Sequence, residues 1–124
     1  MNPHVLIVDD EPSIVISLEY LMRREGFRTS VASDGEAALA AVAADPPDLL
    51  ILDVMLPTLS GFDVCQRLRA DPRWRALPIL MLTAKGRDTE VARGLELGAD
   101  AYMTKPFSTR DLVEKARQLL AARP

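Results

Sequence analysis

Three short apolar segments of this chain each end in polar side chains that could do chemistry. The first runs into Asp9 and Asp10, the second into Asp53 and the third into Thr83. Short, wholly apolar runs are typical of strands buried on both faces of a parallel sheet. Because open α/β sheets place their ligands at the carboxyl ends of such strands, we expect these side chains to share one crevice. Asp53 alone could equally be a capping residue in a loop, but the agreement of three segments favours a site.

The chemistry that suits this set of side chains is phosphoryl transfer. Three carboxylates in one crevice repel each other, so the cluster needs raised pKa values, a cation or both. Hard oxygen ligands with open positions suit Mg²⁺, whose remaining ligands are waters or phosphate oxygens. Lys105, at the end of the last predicted strand, would supply an ammonium, and Thr83 a hydroxyl donor. In-line transfer needs mainly charge neutralisation and positioning, and attack by an Asp carboxylate gives an aspartyl phosphate.

The elements that must position these residues alternate regularly along the chain. Strand and helix patterns alternate five times, which indicates βα units around a parallel sheet. The predicted strands cover about residues 4–9, 28–33, 48–53, 78–83 and 101–104. The predicted helices run from Pro12 to Gly26, from a Ser33–Glu36 capping box to Ala44, from about Phe62 to Asp71, from Asp88 to Leu97, and onward from Ser108 and Asp111.

The composition of the strands predicts their order in the sheet. The first, third and fourth are solidly apolar and therefore central, whereas the second and fifth are mixed and therefore edges. With right-handed crossovers, this favours a flavodoxin-like, doubly wound (βα)5 fold with a five-stranded parallel sheet in the order 2-1-3-4-5. The switch point then lies between the first and third strands, where Asp9, Asp10 and Asp53 would converge.

The fourth helix has the weakest pattern of the five. Its apolar face consists of Val91, Ala92 and Leu95, and it carries Gly94 in its interior. A helical glycine costs ~1 kcal/mol relative to alanine. We therefore expect a helix of low local stability that can move.

Length, charge and cysteine content limit the classes of function. The chain has 124 residues, enough for one domain over residues 1–124 with a sizeable core, although a terminal Arg123-Pro124 often precedes a linker. Its net charge of -3 and the lack of a basic stripe argue against nucleic acid as a direct partner. A single cysteine, Cys65, excludes an internal disulfide and suits a reducing, cytoplasmic setting. No signal segment or apolar run of ~20 residues indicates a membrane.

Four motifs along the chain carry a resemblance to a known family. They are VLIVDDE at residues 5–11, LLILDVMLP at 49–57, MLTA at 81–84 and GADAYMTKPF at 98–107. Any one of them alone would be weak. Together they are specific, and the chain resembles, over essentially its whole length, the receiver domains of two-component response regulators.

That resemblance implies a role for each residue of the acidic cluster. Asp53 would be the phosphoacceptor. Asp10 would bind Mg²⁺ directly, with Asp9 beside it as a ligand or as the holder of a coordinating water. The backbone carbonyl of Met55 would complete the protein ligands of the metal.

The resemblance also implies the parts that respond to the phosphoryl group. Lys105 would pair with it, aimed by a cis peptide bond to Pro106. Thr83 would move to bond a phosphoryl oxygen, which lets Tyr102 turn inward from the surface. The half-buried aromatic side chain of an edge strand is the alternative interpretation of Tyr102.

A phosphorylation-dependent signalling switch, rather than an enzyme, is the function that the resemblance implies. A sensor histidine kinase, or a small acyl phosphate, would donate the phosphoryl group to Asp53. The signal would change the surface formed by the fourth helix, fifth strand and fifth helix. Its receiver would be a downstream protein or an effector domain absent from this chain, and phosphorylation could also produce a homodimer.

Three positions depart from the patterns of the family. Two of them, Met55 and Lys85, stand where family members vary and where attacking water is thought to be controlled. Neither is an acid or amide that would position water, so we expect slow self-dephosphorylation. The third, Ala101, stands where many DNA-binding relatives carry a second acid, which weakens the expectation of a charge-paired dimer.

Three alternatives use the same residues differently. A phosphatase of the haloacid-dehalogenase-like class would carry a second Asp two residues after the nucleophile, and that position is Met55. A nucleotide-binding unit would need a glycine-rich loop where this chain has residues 9–11, Asp-Asp-Glu. A phosphate-independent docking module would be expected to have lost part of the site, and every part is present.

Overall fold

Five strands and five helices alternate along the chain. The computed structural model describes residues 2–84 and 88–122, without the side chains of residues 88–91. The strands are β1 (His4–Val8), β2 (Arg28–Ala32), β3 (Leu49–Asp53), β4 (Ile79–Ala84) and β5 (Ala101–Lys105). The helices are α1 (Pro12–Arg24), α2 (Gly35–Ala44), α3 (Gly61–Ala70), α4 (Asp88–Glu96) and α5 (Thr109–Ala122).

All five strands lie parallel in one sheet in the order β2-β1-β3-β4-β5, which confirms the predicted topology. Every residue of β1 and β3 is buried, whereas β2 and β5 have exposed positions. The central and edge strands are therefore those that their composition predicted. Helices on both faces leave no place for a polar side chain along β1 or β3 except at the strand ends.

The core is divided by the sheet into two layers. Val5 and Ile7 of β1 pack in one cluster with side chains of α1 and α5, while Leu6 and Val8 pack in the other with side chains of α2 and α3. This division follows from the alternation of side chains along a strand, with successive residues on opposite faces. The same alternation sets the side of the sheet to which each residue beyond the strand end is directed.

One predicted helix start is wrong. The residue that caps α2 is Asp34, not Ser33, and its carboxylate accepts a hydrogen bond of 2.8 Å from the backbone N–H of Ala37. Asp34 has the extended backbone that an N-cap residue requires, so the helix begins one residue later than a Ser33–Glu36 capping box would place it. α3 does begin with a capping box, formed by Ser60 and Asp63.

Gly94 in α4 is a packing residue. A Cβ atom at this position would lie 2.9 Å from the Sδ atom of Met81 and 3.5 Å from the ring of Phe62. The glycine therefore lets the backbone of α4 approach β4 and α3 closely, which helix propensity alone did not indicate.

None of the helices that the described residues form has the length and apolar character needed to span a lipid bilayer.

Gly61, the first residue of α3, sets how closely the segment after β3 can fold back on the strand. A Cβ atom there would overlap the backbone carbonyl oxygen of Asp53 and lie 2.9 Å from the Cα atom of Val54. Both are backbone atoms, so the added methyl cannot be accommodated by a rotamer change.

We expect Gly61→Ala to lower the free energy of unfolding by about 1–3 kcal/mol, the usual cost of overpacking. Gly26→Ala is the matched comparison, because nothing lies within 4 Å of its added Cβ and only its φ of 90° is strained. It should cost ~1 kcal/mol, within the range for an L-residue in the left-handed region. Urea denaturation measures both, and an equal or larger loss for Gly26→Ala would contradict the close-approach explanation.

Candidate functional site

Three carboxylates meet at the carboxyl ends of β1 and β3. Asp9 and Asp10 directly follow β1, and Asp53 is the last residue of β3. One carboxylate oxygen from each lies within 4.8 Å of the other two. Asp9 and Asp53 are buried, at 1% and 5% exposure, whereas Asp10 is exposed. The structure thus brings together the acidic cluster that the topology predicted.

Lys105 enters this cluster from the end of β5. Its Nζ atom lies 2.8 Å from Oδ2 of Asp9, 3.3 Å from Oε1 of Glu11 and 3.4 Å from Oδ2 of Asp53. The peptide bond between Lys105 and Pro106 is cis, as the resemblance implied. Four segments of the chain therefore supply one small charged site: the end of β1, the start of α1, the end of β3 and the end of β5.

The electrostatics of the site raise the pKa of Asp53 to about 6 from an ordinary value of 3.8. Burial is the largest cause, because it penalises the charged form of the carboxyl, and the negative charge of Asp9 adds to it. Lys105 and the backbone N–H of Met55, 3.5 Å from Oδ1 of Asp53, act in the opposite direction. One ammonium compensates only part of the repulsion among the carboxylates.

The pKa of Lys105 is raised as well. Burial by itself would lower it, but the hydrogen bond to Asp9 and the charges of Asp53 and Asp9 outweigh that effect, with Glu11 contributing further. The ammonium is therefore held in its charged form across the physiological pH range. A permanently charged donor at this place can stabilise negative charge that develops beside Asp53.

Backbone hydrogen bonds hold the segment between β3 and α3 at both ends. The backbone N–H of Val54 donates to the carbonyl of Leu82 in β4, and Gly61 donates to the carbonyl of Val54. In the middle, the Thr58 hydroxyl accepts from the backbone N–H of Glu36 at 3.1 Å. Thr58 has a φ of 65°, unusual for a β-branched residue, and sequence reasoning missed this contact between the segment and the start of α2.

Thr83 and Tyr102 line one narrow cleft between the sheet and α4. Thr83 is buried near the end of β4, and Tyr102 of the neighbouring β5 is 43% exposed. Gly94 and Leu95 of α4 line the same cleft. Thr83 and Tyr102, which the resemblance couples, therefore line the same cleft beside α4.

The structure describes one of the two positions at which attacking water is thought to be controlled. The side chain of Met55 is 58% exposed beside the site, while Lys85 lies outside the described residues. Glu11, which sequence reasoning treated only as part of a motif, contacts Lys105. The available signal was its place directly after the acidic pair, but spacing alone cannot show that its side chain reaches another strand.

The donor set of this site fits a magnesium ion. Asp9, Asp10 and Asp53 offer carboxylate oxygens, the hard ligands that Mg²⁺ prefers, and the exposure of Asp10 leaves one side open for waters. The raised pKa of Asp53 is a second sign that more positive charge is needed than Lys105 provides.

The comparisons with known proteins agree with this geometry. The family model for the response regulator receiver domain matches residues 5–117. The chain is 50% identical over 120 residues to the alkaline phosphatase synthesis transcriptional regulatory protein PhoP of Bacillus subtilis, covering 97% of this chain and 49% of that protein. It is 48% identical over 120 residues to the DNA-binding response regulator MtrA of Mycolicibacterium smegmatis, covering 97% and 51%. The chain spans about half the length of these curated relatives.

Solved structures give the same result. The receiver domain of the Francisella response regulator 1452 superposes with a TM-score of 0.89 at 32% identity, covering 97% of this chain and 98% of that one. The receiver domain of the sensor histidine kinase PA1611 of Pseudomonas aeruginosa superposes with a TM-score of 0.91 at 26% identity, covering 98% and 100%. The latter structure has a magnesium ion coordinated in its active site cleft.

The raised pKa of Asp53 predicts how stability depends on pH in the metal-free protein. Because the folded state binds this proton more tightly than the unfolded state, its contribution is complete below pH 3.8 and is lost as pH rises through about 6. Asp53→Asn should therefore raise the free energy of unfolding by about 1–3 kcal/mol at about pH 8, and by much less at about pH 4. Urea denaturation with a chelator present measures this difference, and equal gains at both pH values would contradict it.

Proposed function

This chain belongs to the response regulator receiver domain family, and we propose that Asp53 is the residue on which it is phosphorylated. Phosphorylation-dependent signalling is the function of such domains, so the chain acts in signalling and not as an enzyme that turns over a substrate. The observation that carries the proposal is the position of the Asp53 carboxylate, 3.4 Å from the Lys105 ammonium and within the acidic cluster. The family assignment argues against the phosphatase and nucleotide-binding alternatives.

The reaction that we propose is an in-line displacement at phosphorus. A carboxylate oxygen of Asp53 forms the new O–P bond while the bond from phosphorus to the donor breaks, and the bonding electrons leave with the donor. With a sensor histidine kinase the leaving atom is an imidazole nitrogen, and with an acyl phosphate it is a carboxylate oxygen. The pKa of about 6 leaves most of Asp53 ionised at neutral pH, so no separate base is needed.

Asp9, Asp10, Asp53 and the backbone carbonyl of Met55 are the groups that would hold Mg²⁺. When bound, the ion supplies positive charge that neutralises the phosphoryl oxygens. Lys105 would contribute the other positive charge from the end of β5, as the cation paired with the new phosphoryl group. Asp9 accepts hydrogen bonds at both oxygens, from Glu11 N–H at 2.9 Å and from Lys105 at 2.8 Å, and so keeps this side of the site in place.

The response to phosphorylation would pass through the cleft beside α4. The Thr83 hydroxyl would donate to a phosphoryl oxygen, and Tyr102 would then turn from its exposed position into the space beside Gly94 and Leu95. We propose that the surface of α4, β5 and α5 is thereby altered. This chain spans about half the length of these curated relatives, so a second domain or a partner protein on that surface would receive the signal, with homodimerisation as a further outcome.

The assignment of Asp53 is tested by intact mass spectrometry after incubation with acetyl phosphate. We expect wild type to gain one phosphoryl group with Mg²⁺ present, and Asp53→Asn to gain none. Asp10→Asn should be phosphorylated at least about tenfold more slowly, because loss of even an outer-shell metal contact has this effect. The matched control is Asp111→Asn on α5, which removes an exposed carboxylate outside the acidic cluster. Equal labelling of Asp53→Asn would contradict the assignment.

The lifetime of the phosphoryl group is a separate expectation. Met55 is exposed beside Asp53 and offers no group that would orient an attacking water, so spontaneous loss should take minutes or longer. Met55→Asn should speed the loss roughly tenfold, about the value of one added hydrogen bond in the transition state. Met55→Leu is the control, since it keeps the position apolar. The decay of the phosphorylated mass after removal of acetyl phosphate measures all three, and loss within seconds from wild type would overturn the expectation.

A further inference from the structure

Glu11 occupies the N-cap position of α1 but does not cap the helix. Its backbone is extended, with φ of -91° and ψ of 112°, and its side chain makes no hydrogen bond to the first turn. The side chain instead extends to Lys105, with Oε1 at 3.3 Å from Nζ. The Glu11 carboxylate therefore contacts Lys105, which is 94 positions away, and not the terminus of the adjacent helix.

Lys105 has as many carboxylate partners as it has N–H donors. An ammonium carries three donors, and Asp9, Glu11 and Asp53 all lie within 3.4 Å of Nζ. The shortest of these contacts is to Asp9 and the longest is to Asp53. A phosphoryl group on Asp53 would bring new oxygens to the longest of these contacts, so closer pairing with it requires Lys105 to loosen its contact with Asp9 or with Glu11.

Glu11 is the partner that can leave at the lowest cost. The side chain of Asp9 is 0% exposed, so without Lys105 it would become an unpaired buried charge. The side chain of Glu11 is 57% exposed and can turn into solvent. Exposed ion pairs contribute little to stability, but they can still bias where a cation sits.

We propose that Glu11 is a positioning residue that restrains Lys105 in its contacts with Asp9 and Glu11 until phosphorylation, and so slows phosphoryl transfer. This inference rests on the proposed phosphorylation of Asp53 and assigns to that reaction a residue outside the set implied by the resemblance. Release of Glu11 lets the ammonium move from a three-way contact toward the new phosphoryl oxygens. The resting domain is then protected from phosphorylation by weak donors, because each transfer includes the cost of breaking the contact between Glu11 and Lys105.

The test compares three variants with wild type in phosphorylation by acetyl phosphate with Mg²⁺, followed by intact mass. Glu11→Gln keeps the length of the side chain and removes its charge. Glu11→Asp keeps the charge, but its side chain is one methylene shorter and does not span to Lys105. The control, Glu36→Gln, removes an exposed charge from the first turn of α2, at the same end of the sheet.

We expect Glu11→Gln and Glu11→Asp each to be phosphorylated about two- to fivefold faster than wild type. This is the change in rate that corresponds to the free energy of one exposed ion pair. Glu36→Gln should match wild type. Urea denaturation should separate positioning from structure, because Asp at an N-cap should stabilise α1 whereas Gln should not, while both speed the reaction.

Each other result overturns the inference. Acceleration by Glu11→Gln alone would assign the effect to repulsion of the anionic donor by the charge of Glu11. Unchanged or slower reaction in both variants would show that Glu11 does not restrain Lys105. Failure of wild type to be phosphorylated at Asp53 would instead overturn the proposed function, so the two failures are distinguishable.

Discussion

Repulsion among carboxylates at the end of two neighbouring strands is the constraint on which the rest of this structure depends. Asp9 and Asp53 are almost fully buried, with Asp10 beside them, and one ammonium does not balance that charge. Burial of Asp53, and then the negative charge of Asp9 beside it, raise the pKa of Asp53. Excess negative charge at one site favours a divalent cation, and this is the physical basis of the magnesium-dependent phosphorylation that we propose.

The fold places these carboxylates next to segments that contact α2 and α4. The segment after β3 is tied to α2 through Thr58, and the neighbouring end of β4 borders a cleft shared with Tyr102 and α4. A segment held by a hydrogen bond and a cleft beside α4 therefore lie at the same edge of the sheet. The attachment of the segment after β3 favours rearrangement at the end of β4, beside the cleft that α4 borders.

Sequence reasoning reached most of this arrangement because its signals are local. Apolar runs identified the strands, their composition gave the order of the sheet, and the topology then required Asp53 to meet Asp9. What it missed depends on contacts between distant segments. The choice of Asp34 over Ser33 as the α2 cap follows from the path of the backbone, and the contact between Glu11 and Lys105 follows from how far a flexible side chain reaches across the sheet. Neither leaves a periodic pattern in the chain.

The glycine of α4 has a mechanical consequence. Side chains that interlock must disengage before two packed elements can move past each other, and each disengagement adds to the barrier. At Gly94 the helix approaches the Met81 sulfur and the Phe62 ring with no side chain of its own. The missing side chain removes one contribution to the barrier that any shift of α4 over β4 and α3 would meet.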